Sequence, residues 1–98
     1  MQFEEFRETL GDTTPPGGLA ILLRALWHDA RGNWAEAHRL AQDVEDPQGA
    51  WVHAYLHRKE GDLSNAAYWY RRAHQPVSVE PLEVEWEQIT RTLLRSEF

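Results

Sequence analysis

No cysteine occurs among the 98 residues, which excludes disulfide bonds and thiolate metal sites. Positive charge is also scarce: 10 Lys and Arg stand against 16 Asp and Glu, a net charge of −6. Nucleic-acid backbones and anionic membranes both call for a basic face, so neither is expected as a partner. The longest apolar run, Leu19 to Leu23, is far too short to cross a bilayer. Residues Met1 to Arg7 lack the basic and apolar regions of a signal peptide, and a cytoplasmic location is the expectation. No stretch alternates at period two for long enough to suggest a sheet. A phosphate-binding loop is missing as well, because Pro15-Pro16-Gly17-Gly18 has no strand before it and no Lys-Ser/Thr after it. No Ser, His and Asp arrangement identifies a triad. No cofactor is expected.

Large aromatic surfaces and helical periodicity are what the chain does have. Five Trp, three Tyr and three Phe in one short chain imply a core or groove built from rings. The length suits one domain spanning residues 1–98. Phe3, Phe6 and Leu10 predict a short helix over 3–10, and Thr13 to Gly18 reads as a loop. Leu19, Leu22, Leu23, Leu26, Trp27 and Ala30 form a buried stripe on a helix ending at Arg31. Gly32-Asn33 turns the chain into a helix over 34–44, with Glu36 completing a capping pair. Asp46-Pro47 restarts it for a helix over 47–60, and Gly61-Asp62 leads into another over 63–74. After Pro76 and Pro81, a last helix is predicted over 82–95, with Leu82, Trp86, Ile89 and Leu93 on one face. Glu83, Glu85 and Glu87 alternate along it and read as solvated positions. The expected fold class is all-α.

Two of these stretches repeat each other. Ala25-Leu26-Trp27-His28 to Gly32-Asn33-Trp34 and Ala37 matches Ala54-Tyr55-Leu56-His57 to Gly61-Asp62-Leu63 and Ala66, at an offset of 29 residues. Gly61-Asp62-Leu63, Ala66, Tyr70, Ala73 and the following Pro76 resemble the second half of a tetratricopeptide repeat. The Ala66, Trp69, Tyr70, Ala73 portion is also similar to a Sel1-like repeat. The resemblance implies two stacked helix-turn-helix hairpins, about 19–45 and 47–76, with an N-terminal capping helix and a C-terminal one at about 81–96. Small alanines would let paired helices approach closely, and Trp27, Trp51 and Trp69 are expected to be mostly buried. The period is shorter than the family's usual 34 residues, and the inner helices carry His, Trp and Tyr where the family's carboxylate clamp needs Lys and Asn. The resemblance therefore implies a binding or adaptor role and nothing narrower.

Two constellations could carry that role. His53 and His57, four apart, leave one face of a helix with Glu60 beyond them. Two such imidazoles can ligate a metal, but no Glu sits between them as a general base would. A third ligand would have to come from His28, His38 or Asp29. Stacking of equivalent positions places His28 beside His57, and with no third convergent donor in view no metal is expected. The second constellation is Tyr68-Trp69-Tyr70-Arg71-Arg72, near Arg58 and Lys59. Three consecutive aromatics fan across about 200°, so Tyr68 should face solvent, where the arginines can bind a carboxylate or phosphate. The expected function is a small non-catalytic binding or adaptor module. Its ligand-binding residues are His28, Trp51, His53, His57, Arg58, Tyr68, Arg71 and Arg72, and its partner is a protein, a peptide, a small anion or a second copy of the chain. The alternative is an enzyme or metal-dependent protein using His28, His53 and His57.

Overall fold

The computed structural model describes residues 1–96, and every regular element among them is helical. The order is α1 (Phe3–Glu8), a 3-10 turn (Thr9–Gly11), α2 (Ile21–Ala30), α3 (Trp34–Ala41), α4 (Pro47–Glu60), α5 (Leu63–Ala73) and α6 (Leu82–Arg95). No helix among them is long and apolar enough to cross a membrane. Helix α2 packs on α3, α3 on α4, and α4 most extensively on α5, while α6 lies across α2 and α4.

Local chemistry sets these boundaries. The Asn33, Asp46 and Asp62 side chains each accept a backbone N–H three residues on, from Glu36, Gly49 and Asn65, satisfying donors that a helix start leaves unpaired. Helix α3 ends at Ala41, earlier than the expected 44. The Asp46-Pro47 junction is the cause: Asp46 must be extended before proline (ψ 171°), and residues 42–45 turn the chain to reach it. Gly61 closes α4 in the left-handed region at φ 90°. His74 closes α5 in the same region at φ 59°, with Gln75 N donating to the Tyr70 carbonyl oxygen in the manner of a Schellman cap.

One core joins α1, α2, α3, α4 and α6, built on Phe6, Leu23, Leu26, Trp27, Leu56 and Ile89. A second, smaller cluster of Ala54, Ala66 and Tyr70 joins α4 to α5. Trp27 is buried as expected, but Trp51 and Trp69 are only half-buried, because each spans the edge of the α4–α5 contact. Trp86 is the other buried tryptophan. Three indoles tie helices together: Trp27 Nε1 donates to Thr9 Oγ1 at 3.1 Å, Trp34 Nε1 to the Leu56 carbonyl at 2.8 Å, and Trp86 Nε1 to the Leu26 carbonyl at 3.0 Å.

Helix α4 is enclosed by the others, with Val52 through Leu56 and His57 all buried. Its polar side chains reach two buried carboxylates on neighbouring helices. Asp29 of α2 accepts from the Tyr55 hydroxyl and from Lys59 Nζ, both at 3.0 Å. Glu85 of α6 accepts from Arg58 Nη1 at 2.8 Å and from the Tyr70 hydroxyl at 2.6 Å. The reading of Glu85 as solvated is thus corrected: it is 1% exposed. Position 85 lies three after Leu82 and four before Ile89, so it falls on the inward stripe of α6. Burial and the adjoining carboxylates push both tyrosine hydroxyls well above the ordinary phenol range.

Two sets of variants test this construction by chemical denaturation. Gly61→Ala is expected to cost about 1 kcal/mol through its positive φ. Gly49→Ala should cost more, because a β-carbon there overlaps the Val44 backbone carbonyl; equal effects would show that the α3–α4 junction relaxes freely. Glu85→Ala leaves Arg58 without its buried partner and is expected to cost roughly 3 kcal/mol. A loss below about 0.5 kcal/mol, the range of ordinary surface changes, would remove this pair from the fold's supports.

Candidate functional site

The α3–α4–α5 junction collects histidines. Residues 53 and 57 share a face of α4 because they are four apart, and that face meets α3 on one side and α5 on the other. The ring that joins them is His38 of α3. His38 Nε2 lies 3.2 Å from His53 Nε2, and one ring nitrogen from each of His38, His53 and His57 falls within 4.8 Å of the others. His53 and His57 stack on each other with centroids 4.7 Å apart, and His38 meets both edge-on.

Aromatic neighbours hold the outer two faces. Trp34 stacks on His38 at 4.9 Å and 11°, and Trp69 stacks on His53 at 4.1 Å and 20°. His57 is oriented from its other nitrogen, since its Nδ1 lies 2.6 Å from Glu60 Oε1 while Asn65 Nδ2 stands 3.3 Å from its Nε2. Glu60 fixes Nδ1 as the protonated nitrogen, and the Asn65 amide then donates to an Nε2 lone pair. Burial, followed by the neighbouring His57 and His38, holds His53 down to about 4. Burial and then His57 also lower His38. Both are neutral imidazoles at pH 7.

His28 does not join this group. Its ring packs edge-on against Trp27 at 5.2 Å, and the expected pairing with His57 is corrected to a cluster of His38, His53 and His57. Helix α2 reaches α4 through Asp29, one residue further around the helix, and α3 rather than α2 covers the histidine face of α4. Arg58 is drawn away too, donating to Glu85 and to the Glu80 carbonyl, so it supports the fold rather than an open surface. Trp51 lies half-buried beside the second core cluster. Sequence reasoning passed over Asn65, placed Trp69 in the aromatic run without its contact to His53, and named His38 only as one of three possible third ligands; the available signal was that His38 stands four residues after Trp34, on the same side of α3.

Tyr68, Arg71 and Arg72 form a separate outward patch on α5. Tyr68 is 43% exposed, as its place in the aromatic fan predicts. The Arg71 and Arg72 guanidiniums lie 6.0 and 5.8 Å from its ring centroid, and Arg72 also lies 5.0 Å from that of Trp69. Arg72 Nη1 donates to the Tyr68 hydroxyl at 3.1 Å. Neither arginine pairs with a carboxylate among the described residues. Trp69 links this patch to the histidines, with one face on His53 and Arg72 near its ring.

No protein-family model matches the chain, and no curated protein or solved structure matches it either.

The depressed value of His53 makes stability depend on pH with a definite sign. Its folded value lies below the ordinary 6.5, so the unfolded chain binds the proton first as the solution is acidified. The contribution is whole above about pH 6.5 and is lost as pH falls toward 4. At about 1.4 kcal/mol per unit, the loss is on the order of 3 kcal/mol. The titratable groups acting on His53 are His57 of α4 and His38 of α3, and Trp69 of α5 stacks on its ring. Denaturation midpoints measured from pH 7 to pH 4.5 should fall more steeply for the native chain than for His53→Phe. Parallel slopes would show that protonation of His53 costs nothing in the fold.

Proposed function

We propose that this protein is a small non-catalytic binding module that docks a carboxylate-bearing peptide segment on the outer face of α5. The observation that carries this reading is the pair of guanidiniums, Arg71 and Arg72, set against the exposed Tyr68 ring without an ion-pair partner among the described residues. Ion-paired arginines such as Arg39 and Arg91 are held by Glu36 and Glu87 on their own helices, whereas these two meet no carboxylate among the described residues and Arg72 donates only to the Tyr68 hydroxyl. Planar guanidinium donors match a carboxylate in pairs, and aromatic rings beside arginine are the composition of binding hot spots. The all-helical frame with Gly-Asn and Gly-Asp corners fits the tetratricopeptide-like resemblance, in which the scaffold is rigid and the displayed face selects the partner. Localisation in the cytoplasm belongs to the same proposal.

The test is a titration of an aspartate- and glutamate-rich peptide carrying one aromatic residue, followed through tryptophan emission and amide chemical shifts. Saturable shifts centred on residues 68–72, weakened by added salt, are the expected result. Arg71→Ser with Arg72→Ser should abolish them without changing helical content. Shifts confined to other helices, or unaltered binding by the double variant, would overturn the reading.

A further inference from the structure

We propose that His38, His53 and His57 form a binding site for a single zinc ion, with the fourth position open to water. The ligand separations carry the argument. Tetrahedral zinc held at about 2.0–2.1 Å by imidazole nitrogens places those nitrogens about 3.3 Å apart. His38 Nε2 and His53 Nε2 already stand at 3.2 Å. The remaining nitrogen, from His57, lies within 4.8 Å of both, so ring rotation of at most about 1.5 Å completes the triangle that zinc–nitrogen lengths require. Three imidazole donors drawn from two helices, α3 and α4, meet the usual composition of an open zinc site.

The surroundings are those of ligating histidines. Glu60 Oε1 at 2.6 Å from His57 Nδ1 is the carboxylate–histidine arrangement that fixes which nitrogen faces a metal and raises its basicity. The stacked Trp34 and Trp69 rings hold His38 and His53 in place and shield them. Asn65 Nδ2, 3.3 Å from His57 Nε2, gives up that contact when the ion binds. A second grouping, His57 with Glu60 and Asp62, shares a ligand with the first but is exposed at both carboxylates, and Asp62 is already engaged as the cap of α5. Nitrogen donors also favour zinc over the oxygen-seeking magnesium and calcium. The proposal does not rest on the peptide-docking reading, since its ligands include neither arginine nor Tyr68, although Trp69 touches both places.

The experiment uses the untagged chain, freed of metal with a chelator and titrated with zinc in competition with a chromophoric chelator. One equivalent is expected per chain. His38→Ala should lower the affinity at least tenfold, and Glu60→Gln by about ten- to a hundredfold. His28→Ala, His74→Ala and Asp62→Asn should leave it unchanged. Cobalt added to the unaltered protein should give the intense visible bands of a four-coordinate ion, a readout that stands even if His38→Ala fails to fold. Absence of stoichiometric zinc, a weak six-coordinate cobalt spectrum, or binding lost in Asp62→Asn but kept in His38→Ala would each overturn the site. The three rings would then serve only to close the helical junction.

Discussion

Everything in this fold turns on keeping a helix with polar side chains out of water. Helix α4 carries two histidines, a tyrosine, an arginine and a lysine, yet its middle turns are closed in by α2, α3, α5 and α6. Such groups are tolerable only when each one finds a partner, and each of them does. Tyr55 and Lys59 meet Asp29, Arg58 meets Glu85, and the histidines meet one another. These contacts are directional, so they select one rotation of α4 within its cage where apolar packing alone would tolerate several. They also divide the helix by function. One side is devoted to carboxylates that hold α2 and α6, and the other gathers imidazoles against α3 and α5.

Much of the backbone was legible because its punctuation is local. Asp46-Pro47, Gly61-Asp62 and Gln75-Pro76 act within a turn of where they stand, and α4 and α6 run over the spans those signals mark. The end of α3 was harder, since it depends on what the chain must do to enter the Asp46-Pro47 junction. The site was legible in half. The pairing of His53 with His57 follows from spacing on one helix, as does the outward face of Tyr68. The partner of the two histidines depends on which helix crosses α4, and the repeat pointed to α2 where packing supplies α3. Glu85 was misread for a related reason: attention to the alternating glutamates hid its register with Leu82 and Ile89, and only Arg58 and Tyr70, from other helices, make a buried carboxylate there acceptable.

Trp69 stands between the two proposed sites and belongs to both. One face lies on His53 and the Arg72 guanidinium sits 5.0 Å from the ring centroid. The imidazoles and the aromatic-cationic patch therefore meet at a shared ring. This arrangement gives a physical route for linkage between an ion at the junction and a ligand on α5, and the linkage would be reciprocal.

The tryptophan indoles have a consequence for how the helices can move. Trp34 and Trp86 each donate to a backbone carbonyl on another helix, at Leu56 of α4 and Leu26 of α2. A helix that slid along its neighbour by one residue would advance about 1.5 Å and carry the indole off its acceptor, stranding a buried N–H donor. The bonds thus work as detents. They permit the helices to breathe apart slightly but resist axial slippage, which gives a bundle of short helices a defined set of stops.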